Sequence, residues 1–158
     1  MKKNEAIKQE LIKICKKDLE EAKSVSEKSK SSVQTGDLKS DGKYDTRAVE
    51  ASYLAGAQLK RVQEIQGELE LLHEMRTDLD TRSVSVGSIV ELEFDGNSKK
   101  YFLSSARGGS LIKVEGNVYL VISVFSPIGN SIVNQSVGDE VEVELDNGSR
   151  IYKVLSIQ

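Results

Sequence analysis

The sequence predicts an α+β protein: an N-terminal antiparallel coiled-coil hairpin of two long helices, then a mainly antiparallel sheet that carries one short helix. Three observations lead there. Before residue 77 the apolar residues recur at the 3-4 spacing of a helical seam. After residue 87 they alternate in short runs separated by turn dipeptides. The single proline, Pro127, falls in the second part, so nothing interrupts the helical pattern of the first.

The first helix carries its stripe at positions 12, 15, 19, 22, 26, 29 and 33, which are Ile, Cys, Leu, Ala, Ser, Ser and Val. The second carries Ala, Ala, Ala, Gln, Val, Ile, Leu and Leu at 48, 51, 55, 58, 62, 65, 69 and 72. Folding one arm back on the other pairs these stripes in mirror order. Val33 meets Ala48, Ser26 meets Ala55, Leu19 meets Val62, Cys15 meets Ile65 and Ile12 meets Leu69, which places the bend between Ser40 and Asp41. Local signals agree: Gln34-Thr35-Gly36-Asp37 closes one helix, Asp41-Gly42 makes the turn, and Asp45 or Thr46 caps the next. The seam is aliphatic at its base and Ala against Ser toward its tip, where burial contributes little. Each arm runs roughly 30 residues, or about 45 Å at helical rise. Such a length fits a device for reaching rather than for building a core.

The predicted strands are Ile89–Phe94, Tyr101–Leu103, Leu111–Val114, Val118–Val124, Val141–Leu145 and Ile151–Ile157. Turns at Asp95-Gly96-Asn97, Gly108-Gly109, Glu115-Gly116-Asn117 and Asp146-Asn147-Gly148 separate them. Between the fourth and fifth strands Ser126 caps a short helix, Pro127 takes its first position, and Ile128, Ile132 and Val133 give it a buried side. The organisation is therefore a hairpin over 1–76, a linker over 77–87 and a sheet domain over 88–158.

Composition narrows the function classes. A net charge of −3 supplies no global basic field for nucleic acid. Residues 1–35 hold nine Lys against six acids, a modest asymmetry that solvated helix faces explain. One cysteine, Cys15, excludes an internal disulfide and fits a reducing cytosol, and its place in the seam makes it a packing residue. No signal peptide and no run of about 18 apolar residues is present, so a soluble, cytoplasmic protein with no membrane contact is expected; it is expected to be a monomer. His73 has no Cys or His neighbours to share a metal with. Ala106-Arg107-Gly108-Gly109 lacks the strand, helix and Lys of a phosphate loop and reads as a turn. No Ser-His-Asp or Cys-His set could act alone, so the chain is not expected to be an enzyme, nor to bind a metal when free.

The tip is where chemistry could reside. Asp37, Asp41 and Asp45 fall within nine residues at the end of the finger. Carboxylates are ligands for hard divalent cations such as Mg²⁺, which commonly takes one or two from protein and completes its shell elsewhere. A carboxylate among these could serve a metal that a partner already holds. Asp45 serves better as a helix cap.

The layout resembles the GreA/GreB family of bacterial transcription elongation factors over nearly the whole chain. The resemblance rests on the hairpin, on Gly36-Asp37-Leu38-Lys39 with Tyr44 at the tip, on Ser126-Pro127-Ile128-Gly129, and on Val137-Gly138-Asp139-Glu140-Val141-Glu142-Val143. It implies an FKBP-like C-terminal domain without isomerase activity. In that family this domain docks on the rim of the RNA polymerase secondary channel. The hairpin enters the channel, and tip carboxylates help hold the second catalytic Mg²⁺ while the polymerase hydrolyses backtracked RNA. The resemblance thus implies RNA polymerase as partner, indirect contact with the transcript, Mg²⁺ shared with the polymerase, metal-positioning roles for Asp37 and Asp41, and docking by Ser126, Pro127, Ile128 and Gly129. The match departs at the tip: where the family pattern resembles GDLxENAEY, its two Glu positions hold Ser40 and Lys43, and Asp41 stands at the Asn position. That departure leaves a non-cleaving channel regulator as the alternative.

Overall fold

The computed structural model describes residues 2–34 and 46–158, with side chains over 2–28 and 54–158. Two long helices come first, α1 (Lys3–Gln34) and α2 (Thr46–Glu74). The sheet part follows as β1 (Ile89–Phe94), β2 (Asn97–Ser104), β3 (Leu111–Val114), β4 (Asn117–Ser123), α3 (Pro127–Ile132), β5 (Glu140–Leu145) and β6 (Gly148–Ile157). The chain forms two compact units, residues 14–69 and residues 1–13 with 70–158.

The unit over 14–69 is the helical hairpin. Cys15, Ala22, Ser26, Val62 and Ile65 are buried, while Leu19, Ala55 and Gln58 are half-buried. These are the predicted seam positions. The Cys15 thiol donates to the Ile65 carbonyl at 3.7 Å, the pairing that the mirror order of the two stripes expects. Apolar residues off the seam, such as Val25, Leu54 and Leu59, stay exposed. Two helices in contact bury only a stripe each.

The second unit is built on a six-stranded sheet of order β3-β4-β2-β1-β6-β5. Every neighbouring pair is antiparallel except β2 and β4, which run parallel from Tyr101↔Leu120 to Ser104↔Ser123. Asp95 and Gly96 (φ 52° and 76°) make a two-residue turn between β1 and β2, and Glu115 and Gly116 (φ 51° and 81°) make another between β3 and β4. Positive φ at both positions twists such turns in the sense the strands require. β2 is longer than its apolar run of Tyr101–Leu103, because pairing with β1 from Ile89↔Phe102 to Phe94↔Asn97 recruits Asn97–Lys100. These polar residues carry no hydrophobic period and are held by the ladder alone.

One face of the sheet supports the main core, in which Val90, Leu92, Leu103, Ile122, Val143 and Val154 cluster with Ile132 of α3. The short helix covers this face, with Ile128 and Val133 packed beside it. Phe102, Tyr119 and Val121 are also fully buried. Residues 75–88 form no regular element yet are pinned to the sheet. Val84 is in the core, its N–H donates to Gln135 O at 2.8 Å, and Gly87 N–H donates to Leu103 O at 2.7 Å.

The helix ends in this unit are tied to the sheet by polar contacts. Asn4 is 7% exposed, and its amide donates to Gly87 O at 2.8 Å and Gln158 O at 2.9 Å. The Lys8 ammonium donates to the carbonyls of His73 and Met75 at 3.1 and 2.7 Å, where α2 runs out of internal partners. Thr77 donates its hydroxyl to the Glu5 carboxylate at 2.5 Å. This bond first, then those from Gln9 and the charge of Lys8, hold the Glu5 carboxyl below its ordinary 4.5. A depressed carboxyl adds stability above its unfolded value and loses it as pH falls through the folded one. Thr77→Val should therefore cost about 0.5 kcal/mol at pH 7, low in the hydrogen-bond range because water reaches the pair. At pH 3 the cost should shrink, a difference read from urea midpoints at the two pH values.

Candidate functional site

The two sites expected from the sequence meet different outcomes. Asp37, Asp41 and Asp45 lie outside the described residues, as do Ser40 and Lys43. Among the described residues, no group of three or more His, Cys, Asp or Glu is placed to hold a metal ion. No helix described is long and apolar enough to cross a membrane.

Ser126–Gly129 is fully described, and each residue has a distinct task. Ser126 sits in extended conformation (φ −75°, ψ 160°) as the N-cap of α3. Its hydroxyl accepts from Gly129 N–H at 3.1 Å and donates to Ser123 O at 2.6 Å. One side chain thereby satisfies a helix-start donor and a strand-end acceptor. Pro127, whose missing N–H would have no helical partner, takes the first turn and is exposed. Ile128 packs half-buried against the core. Gly129 is buried where a Cβ would stand 2.0 Å from Ser123 O, so only glycine lets α3 lie against the end of β4.

This packing leaves an apolar depression of about 370 Å³ beside the helix start, lined by Gly108, Leu120, Ile122, Pro127, Ile128 and Leu145 among others. Three large apolar side chains are exposed nearby in the chain: Phe125 at 80%, next to the cap, and Leu111 and Val118 on β3 and β4. Leu111 and Val118 share a face of this ladder, since Leu111↔Leu120 and Lys113↔Val118 are successive pairs on it. A groove of this kind suits protein contact better than small-molecule chemistry, for no acid or base lines it that could activate the hydroxyls of Ser123 or Ser126. The sequence pointed to Ser126, Pro127, Ile128 and Gly129 but missed Phe125. Its signal was available, as an aromatic residue directly before a cap and proline, where no strand period can bury it.

The other singled-out residues are accounted for structurally. Cys15 is fully buried in the seam. His73 is exposed in the last turn of α2. Arg107 (φ 63°) and Gly109 (φ 93°) form a turn that returns Gly109 N–H to Val121 O at 2.8 Å.

Comparison with known proteins adds a further finding. The family described as "Transcription elongation factor, GreA/GreB, C-term" matches residues 79–158. The transcription elongation factor GreA of Lachnoclostridium phytofermentans is 30% identical over 139 residues, covering 86% of this chain and 81% of that protein. Its counterpart in Flavobacterium psychrophilum is 29% identical over 152 residues, covering 92% and 91%. The crystal structure of GreA factor homolog 1 of Thermus thermophilus is similar at 18% identity and a TM-score of 0.40, over 96% of this chain and 92% of that one.

Proposed function

Since the chain belongs to the GreA/GreB family of transcription elongation factors, we propose that it binds RNA polymerase at the secondary channel and stimulates Mg²⁺-dependent cleavage of backtracked transcripts. The observation that carries the docking half is the apolar depression lined by Ser126, Pro127 and Ile128, with the 80%-exposed Phe125 directly before the cap in sequence. A buried glycine and a doubly bonded cap fix the start of α3, so the surface is formed before a partner arrives and little ordering cost is left to association. In this reading Ser126 and Gly129 position the surface, while Pro127, Ile128 and Phe125 supply contact.

The catalytic half rests on Asp37 and Asp41, which lie outside the described residues. Both are short carboxylates in the segment of sequence between α1 and α2. They would help hold a Mg²⁺ shared with the polymerase, which when bound lowers the pKa of water and draws off the charge of the reacting phosphate. The protein is then not itself an enzyme but a cytoplasmic accessory factor, acting as a monomer and touching the transcript only through the polymerase. Ser40 and Lys43, at positions where the family pattern has Glu, favour a second reading. In it the protein occupies the channel and regulates transcription without cleavage.

One assay separates these readings. Purified polymerase stalled on backtracked RNA, supplied with Mg²⁺ and this protein, should shorten the transcript. Asp37→Ala or Asp41→Ala should reduce shortening at least 10-fold, as loss of a metal-positioning group does, and leave polymerase retention intact. Phe125→Ala should weaken retention itself. Retention with no shortening by the wild-type chain would establish the non-cleaving reading. Absence of retention would overturn both.

A further inference from the structure

A second cavity, of about 450 Å³, opens on the core side of the sheet and is lined by residues of β1, β2 and β6. It has no part in the docking surface described above. Arg150 and Lys99 line it, and Asp95 is its only acid, although residues 84–158 as a whole are acidic. Neither cation forms an ion pair among the described residues. The Arg150 guanidinium lies over the Phe94 ring at 4.9 Å and Nη1 reaches the Tyr152 hydroxyl at 3.5 Å, while Phe94 packs on Tyr152 at 5.4 Å. These two contacts hold the guanidinium at the cavity and leave its other N–H groups free to donate.

Tyr101 adds an independent observation. It is only 7% exposed, and its hydroxyl has no hydrogen-bond partner among the described residues. No buried side-chain nitrogen or oxygen among those residues is left unsatisfied, so this hydroxyl is reached from the cavity that Tyr101 lines. Burial first, then the neighbouring Tyr152, push its phenol above the ordinary value, which keeps it a donor through the neutral range. A phenol, a guanidinium, an ammonium and a second hydroxyl line one space with an apolar wall at Leu92 and Phe94.

We propose that this cavity binds a small organic phosphate the size of a nucleoside monophosphate. Its phosphate oxygens meet Arg150, Lys99 and the two tyrosine hydroxyls, and its planar body lies along the Leu92–Phe94 wall. Two cations favour a dianion over a single carboxylate, and the volume falls within the range of small-ligand sites. The test is calorimetric titration of the full chain with AMP, inorganic phosphate, adenosine and phenylacetate. AMP should bind saturably below 1 mM (about −4 kcal/mol or better at that limit), with phosphate alone and adenosine alone at least 10-fold weaker. Arg150→Gln should weaken AMP at least 10-fold. Tyr101→Phe should weaken it several-fold while leaving Tm unchanged, which separates a ligand contact from a packing role. No AMP binding up to 10 mM, binding indifferent to both substitutions, or phenylacetate binding more tightly than AMP would overturn the proposal.

Discussion

Gly129→Ala is expected to destabilise the protein by about 4 kcal/mol, above the usual 1–3 for overpacking. An alanine Cβ would stand 2.0 Å from Ser123 O, 2.8 Å from Ser123 C and 3.0 Å from Val124 Cα. All three are main-chain atoms, so no rotamer change relieves the clash. Relief requires α3 to lift from β4, which withdraws Ile132 from the core and breaks the Ser126 bonds to Gly129 and Ser123. For a chain of this size, about 4 kcal/mol corresponds to a Tm lower by roughly 10 °C or more. Gly116→Ala is the control. Its φ of +81° gives the new side chain some strain, but nothing stands within 4 Å of the Cβ, so a cost of about 1 kcal/mol is expected. Thermal melts of the two variants should differ accordingly. Equal losses would mean that α3 is not seated against the end of β4. Under the proposed docking mode Gly129→Ala should also weaken polymerase retention, because the start of α3 forms one side of that depression.

Asn4→Asp should be comparably damaging, at about 3–5 kcal/mol at pH 7. The Asn4 amide lies buried between two carbonyl oxygens, those of Gly87 and Gln158. A carboxylate there would face two acceptors with no donor to offer. Its folded-state pKa would rise above the unfolded value, so the variant's stability is greatest at low pH and is lost as pH climbs from about 4. That trend opposes the one expected from Glu5, whose lowered value makes the parent lose stability toward acid. Asn4→Leu removes the amide without adding charge. Gln158 O keeps its bond from Ile89 N–H at 2.8 Å, and only Gly87 O loses its donor, so about 2 kcal/mol is expected. Chemical denaturation between pH 4 and pH 8 distinguishes the two, since only the Asp variant should change steeply relative to the parent.

These two residues also mark how far the sequence could be read. Ser126-Pro127-Ile128-Gly129 was legible because capping and proline placement are local: a Ser hydroxyl, a ring without N–H and an apolar side need only their neighbours. That Gly129 is irreplaceable was not legible, since the reason is the Ser123 carbonyl lying against it. Asn4 gave no signal at all. A polar residue near a helix start is ordinarily solvated, and its partners lie 83 and 154 positions away. Phe125 was passed over because its importance is an exposure, which alternation patterns do not report.

What the sequence by itself determined is the succession of two long helices and then strands, the seam that sets Cys15 against Ile65, the positions of the turns and the cap of α3. Each follows from periodicity or from backbone preferences within a few residues. Only the tertiary structure decided that β2 and β4 run parallel, that polar Asn97–Lys100 are strand, and that Val84 in an irregular segment belongs to the core. It alone brought Arg150, Phe94, Tyr101 and Tyr152 to one cavity. These features depend on which strand lies beside which, and strand order is set by packing over the whole domain rather than by any short stretch of the chain.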